Sequence, residues 1–158
     1  MQVSSYITIR IKDSSKVFIG IFFLVCGCLI YLLFRSKSLN IYIWSKAFGL
    51  SSLIDILRLY VSNWNIPYIV RYSLPDGLYC AAYIILIDAI WHKDKRCIRY
   101  IILSLVPILT ISSEILQYYG LIKGTFDKYD LVCYLLPPII YFTIKRMNNS
   151  LTKSIVYE

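Results

Sequence analysis

The chain has 158 residues, 58% of them hydrophobic, 16% aromatic and only 16% charged, with a formal net charge of +8. A soluble domain needs more polar surface than this, which excludes an ordinary globular protein and points to an all-α, polytopic transmembrane helical bundle. The cations do not signal nucleic acid either, because they border apolar blocks and form no basic face with stacking aromatics; membrane topology and anionic lipid account for them.

The first apolar block, "VFIGIFFLVCGCLIYLLF" from Val17 to Phe34, is long enough to cross ~27 Å of hydrocarbon at 1.5 Å per residue. It runs into "YLLFRSKS" with no small-x-small cleavage site, so it reads as a retained span and not as a signal peptide. Ile41 to Tyr60 has the length of a second span but carries Lys46, Asp55 and Arg58. Charges at mid-bilayer are costly, which requires Asp55 and Arg58 to pair at i,i+3 and Lys46 to snorkel. Three further blocks follow, giving five spans at about 17–34, 41–60, 73–91, 100–118 and 127–144, or four if Ile41 to Tyr60 lies in the interface. The whole chain, 1–158, then forms a single integral membrane domain, with oligomers possible.

The loop "HKDKRCIR", residues 92–99, concentrates Lys93, Lys95, Arg96 and Arg99 and is expected on the cytoplasmic side. The C-terminus, two spans later, falls on that same side, and five spans put the N-terminus outside. Trp44, Trp64, Tyr68, Tyr72, Trp91, Tyr118 and Tyr119 lie near span ends, as an aromatic belt requires. Cys26, Cys28, Cys80, Cys97 and Cys133 follow no metal-binding spacing, His92 is the only histidine, and no glycine-rich phosphate loop is present. No metal and no cofactor are expected.

Four acids, Asp76, Glu114, Asp127 and Asp130, fall at the outer ends of spans. "SLPD" reads as a capping box with Ser73 at the N-cap and Asp76 three residues on. "DKYD" repeats the logic with Asp127 as cap and Asp130 in the first turn. Glu114 has no such explanation, because it sits near a helix C-terminus, where the macrodipole disfavours negative charge. It shares a face with Gln117 and Thr110, and a buried carboxylate there needs a cation or a hydrogen-bond network. Arg58, Arg71 and Lys123 are the candidate counter-ions. A structural tie between helices and a ligand pocket both fit these residues.

"SEILQ" followed by a turn and "GTFDKYDLV" resembles the central motif of the VanZ-like family of small bacterial membrane proteins, and "PDG" resembles the aspartate that opens an earlier span in that family. The chain departs from the family pattern at Tyr134, where an Asn is frequent, and at Cys80, where a His is frequent. The resemblance implies a multi-pass protein of the bacterial cytoplasmic (inner) membrane; one namesake is linked to teicoplanin resistance, a link that transfers no enzyme activity.

The leading expectation is an envelope-associated binding or accessory protein. Its outer pocket, lined by Asp76, Glu114, Gln117, Asp127 and Asp130, would suit a cationic or polyhydroxylated ligand. A small oligomeric secondary transporter using Glu114 is the alternative, with Pro107, Pro137 and Pro138 expected to interrupt their helices. An enzyme using paired carboxylates ranks last, and no catalytic residue can be named.

Overall fold

A computed structural model describes residues 2–91 and 97–156. Among these residues all regular structure is helical: α1 (Gln2–Phe34), α2 (Asn40–Ala47), α3 (Ser51–Val61), α4 (Tyr68–Tyr72), α5 (Leu74–Ile90), α6 (Cys97–Tyr118) and α7 (Lys128–Val156). Most of the expected "HKDKRCIR" loop, including His92, Lys93, Lys95 and Arg96, lies outside the described residues.

The long helices α1, α5, α6 and α7 alternate in direction and form one bundle. Lys16 meets Asp88 while Tyr31 meets Asp76, so α1 and α5 are antiparallel. Cys80 meets Tyr134 while Asp88 meets Tyr141, so α5 and α7 run the same way. α5 is the centre of the bundle, touching α1, α4, α6 and α7. It buries Pro75, Gly77, Cys80, Ala82, Ile84, Asp88 and Ala89, whereas α6 buries only Leu103, Pro107 and Glu114. Close approach to α7 depends on Gly77, where a Cβ would come within 3.0 Å of the Cys133 carbonyl oxygen.

Two helical stretches among the described residues are long and apolar enough to cross a membrane, Ser14–Phe34 and Cys97–Tyr118. Their faces are mostly uncovered: Phe18 is 79% exposed and Leu109 61%. The stretch Ile41 to Tyr60 is not one span, because it folds as the 8-residue α2 and the 11-residue α3. Gly49, at φ 73°, ends α2 with a Schellman motif: Leu50 N–H donates to Ser45 O at 2.9 Å and Gly49 N–H to Lys46 O at 3.0 Å. Gly120, at φ 68°, ends α6 in the same way, with Leu121 N–H bonded to Leu116 O and Gly120 N–H to Gln117 O.

The expected proline interruptions are also absent, since α6 runs through Pro107 and α7 through Pro137 and Pro138. Pro137 and Pro138 take away the helical donors of the Cys133 and Tyr134 carbonyls. The Cys80 thiol points at Tyr134 O, 3.8 Å away, and Gly77 packs against Cys133 O. The neighbouring helix therefore covers the groups that the prolines free.

Candidate functional site

One end of the bundle gathers acids from three elements. On α5, Asp76 accepts a 2.5 Å hydrogen bond from Tyr31 of α1 and lies 3.7 Å from Arg35. Arg35 also donates to Tyr72 O at 2.9 Å and to the Tyr31 hydroxyl at 3.3 Å, and its guanidinium lies over the Tyr31 ring. Asp76 is thus not the partner in a capping box. Ser73 has helical backbone angles and makes no side-chain cap bond, so the pattern read from "SLPD" is not formed.

Near the end of α6, Glu114 is only 6% exposed, and its Oε2 accepts the Asp127 backbone N–H at 3.3 Å. Asp127 does cap α7: its Oδ1 accepts the Tyr129 N–H at 2.8 Å, and its carbonyl accepts the Leu131 N–H. Its other carboxylate oxygen accepts from the Tyr68 hydroxyl at 2.8 Å, and this bond pushes the exposed Tyr68 phenol above its ordinary pKa. The Asp130 carboxyl lies beside the Ser73 hydroxyl. Apart from each other, neither Ser73 Oγ nor Asp130 Oδ1, both buried, has a hydrogen-bond partner among the described residues.

These acids form one electrostatic group. Asp76, Asp127 and Asp130 all act on Glu114, and Asp130 acts on Asp76. Tyr134 lies within reach of Asp76, Asp130, Glu114 and Tyr31. The structure therefore brings together four of the five expected site residues. The Gln117 side chain packs against the turn at Gly124, where a Cβ would come within 2.6 Å of Gln117 Cδ.

The counter-ion is Arg35, and none of the three cations expected from the sequence holds the acids. Arg58 donates to two backbone carbonyls at the end of α1, Leu32 O at 2.6 Å and Arg35 O at 2.8 Å. Those carbonyls have no helical donor, so Arg58 acts as a C-terminal cap. Asp55 consequently pairs with Lys37 at 2.7 Å and with Tyr42, and not with Arg58. Arg71 forms no ion pair among the described residues, and its Nε is buried without a partner. Lys123 is exposed on the turn before α7 and likewise forms no ion pair among the described residues.

The opposite end of α5 carries a second buried carboxylate, Asp88, which is 5% exposed. Lys16 of α1 reaches it at 2.6 Å, and Arg99 of α6 and the Tyr141 hydroxyl of α7 both bond to its Oδ1. One aspartate thereby joins four helices. Lys145 adds a further cation, 3.2 Å from the Tyr141 hydroxyl. Nothing local to Asp88 predicts this cluster, because its partners lie 72, 11 and 53 residues away along the chain.

The acid-rich end can hold a cation or accept hydrogen bonds from hydroxyl groups, with Ser73 and the tyrosines supplying neutral polar contacts. No grouping of three or more His, Cys, Asp or Glu side chains with metal-binding geometry occurs among the described residues. Comparison with known proteins finds no matching family model, no matching curated protein and no matching solved structure.

Proposed function

We propose that the chain is a multi-pass membrane protein whose acidic end is a binding site for a cationic or polyhydroxylated ligand of the cell envelope. The observation that carries this reading is the grouping of Asp76, Glu114, Asp127 and Asp130 at one end of the bundle, where among the described residues only Asp76 is ion-paired, with Arg35 at 3.7 Å. Like charges brought together this closely are costly unless something offsets them, and a bound cation does so.

The membrane part of the proposal rests on the uncovered apolar faces of α1 and α6. The 17-residue α5 and the first part of α7 complete a four-crossing arrangement, with α2, α3 and α4 lying in the interface at the acidic end. Four crossings put both termini on the side of the basic loop, which the excess of Lys and Arg assigns to the cytoplasm. The acids then face outward. The residues that carry the resemblance to VanZ-like proteins, Glu114 with Asp127 and Asp130, sit at this site. The proposal keeps that resemblance and, with it, the bacterial inner membrane. Transport through Glu114 is the second reading, favoured by the burial of an ionisable group among helices.

Two measurements test the proposal. In intact cells an impermeant thiol reagent should leave the exposed Cys97 unlabelled until the membrane is permeabilised; immediate labelling inverts the orientation. Purified protein in phosphatidylcholine nanodiscs should bind spermidine in a salt-sensitive manner, with binding lost in Asp130→Asn. Equal binding by the variant would remove the acidic site from the account.

A further inference from the structure

The hairpin of α2 and α3 is folded with its polar side inward. In a water-soluble fold an amphipathic helix turns its apolar stripe to the protein; α3 does the reverse. Leu53, Ile56, Leu57 and Tyr60, at the spacing i, i+3, i+4, i+7, are all exposed, Tyr60 at 76%. The opposite face carries Ile54, Asp55 and Arg58, of which Arg58 bonds to the end of α1 and Asp55 to Tyr42 of α2. α2 repeats the reversal, with Tyr42 and Ser45 buried and Trp44 64% exposed, and Phe48 just beyond it is 81% exposed. With 8 and 11 residues, neither helix can cross ~27 Å of hydrocarbon at 1.5 Å per residue. Both pack on α1, at the end of its apolar stretch Ser14–Phe34.

Arg58 ties this hairpin to the acidic end. Its guanidinium spans the carbonyls of Leu32 and Arg35, at 2.6 and 2.8 Å. Arg35, the first residue beyond α1, sends its own guanidinium to the Tyr31 hydroxyl, to Tyr72 O and to Asp76. We infer that α2 and α3 form a bilayer-seated brace: their outward apolar face rests in the lipid at the acidic end, and Arg58 holds Arg35 in place on Asp76, setting how tightly the acidic end takes a cation. This rests on the acidic-site reading above and adds its regulation. Lipid is the occupant because the face lies where an apolar crossing ends and the exposed side of α3 carries no charge. The one exposed charge of α2, Lys46, is close enough to its C-terminus to snorkel. Arg35 and a cationic ligand compete for the same negative charge, so loosening the brace strengthens cation binding.

The test reads spermidine affinity calorimetrically on the full chain in phosphatidylcholine nanodiscs. Arg58→Lys keeps the charge but loses the planar fork that spans two carbonyls, and it should tighten spermidine binding several-fold. Arg35→Gln should tighten it as well, and adding Arg58→Lys to Arg35→Gln should change nothing more, because Arg58 acts through Arg35. Leu57→Gln, which makes the outer face polar, should reproduce the tightening, and it carries the test if circular dichroism shows Arg58→Lys unfolded. Lipid seating is read on Trp44 after Trp64→Phe and Trp91→Phe: its fluorescence should be quenched by phosphatidylcholine brominated on the acyl chain and spared by aqueous iodide. Tightening in Arg58→Gln but not in Arg58→Lys would be a long-range charge effect and would overturn the brace, as would additive effects of Arg58→Lys and Arg35→Gln. Quenching of Trp44 by iodide alone, or a concentration-dependent dimer that shields it from both quenchers, would overturn the lipid seating, the second giving the face to another copy of the chain. Spermidine binding that is unchanged in Arg58→Lys and Leu57→Gln would overturn this inference and leave the acidic site standing; a wild type that binds no spermidine would overturn both.

Discussion

The two ends of α5 each carry an aspartate, Asp88 buried and Asp76 half-buried, and they treat it in opposite ways. Asp88 meets Lys16, Arg99 and Tyr141, so its charge is more than matched from three other helices. Asp76 meets one guanidinium in the company of three more carboxylates. A saturated buried charge ties helices together; an under-compensated group of like charges holds free energy that a ligand can release. The basic end is thus a tie between helices, and the proposed ligand site falls at the end whose charges are under-compensated.

The largest expected effect breaks the saturated side. Asp88→Asn leaves Lys16 and Arg99 facing each other without their shared carboxylate, and removing one partner of a buried pair costs about 3–5 kcal/mol. Denaturant unfolding in detergent should show that loss, and a change below about 1 kcal/mol would mean that Asp88 does not hold the bundle. A smaller effect is expected at Asp127, whose carboxylate caps α7. Asn caps nearly as well and a cap is typically worth ~1 kcal/mol, so Asp127→Asn should change the unfolding free energy by less than that. Loss of ligand binding in a stable Asp127→Asn protein would move this residue from cap to ligand contact.

Much of the helical bundle was legible because helix ends follow the ends of the apolar runs. The apolar runs ending at Phe34 and Tyr118 stop where α1 and α6 stop. The grouping of the acids at one end was also legible, since a shared end follows from alternating the direction of the helices between them. Ile41 to Tyr60 was misread because length was weighed above the stop signal in "AFGLSS", where Gly49 takes the left-handed conformation that ends α2. Arg35 was missed as the counter-ion because "FRSKS" looks like an ordinary basic flank. Arg58, Arg71 and Lys123 looked freer than they are: Arg58 is committed to backbone carbonyls that no pattern of side chains reveals. Asp88 escaped notice for the same kind of reason, its partners all being distant in sequence.

The smallest effect lies away from both ends, in the exposed pair of Lys37 and Asp55. The hydrogen bond from Lys37 holds the Asp55 carboxyl below its ordinary pKa, and the same bond pushes the Lys37 amine up. Asp55 therefore contributes stability above the usual carboxylate value of ~3.9, lost as pH falls through its lower folded value. Lys37 contributes below the usual lysine value of ~10.4, and that part is lost as pH rises through its raised value. The thermal midpoint of Asp55→Asn should sit a constant, small distance below wild type from about pH 5 to 9 and converge with it in acid. An offset that varied within that window would point to another titrating group.

The contrast between the two ends is tested most directly at Glu114, which is buried, bonded among the described residues through the Asp127 N–H, and surrounded by like charge. Glu114→Gln keeps an oxygen that can accept that N–H and removes one carboxylate from the group. Measured side by side with Asp88→Asn, it should leave unfolding stability unchanged or raised while spermidine binding falls sharply. A loss of about 3–5 kcal/mol, equal to that of Asp88→Asn, with spermidine binding intact, would show that both ends are structural ties and contradict the account.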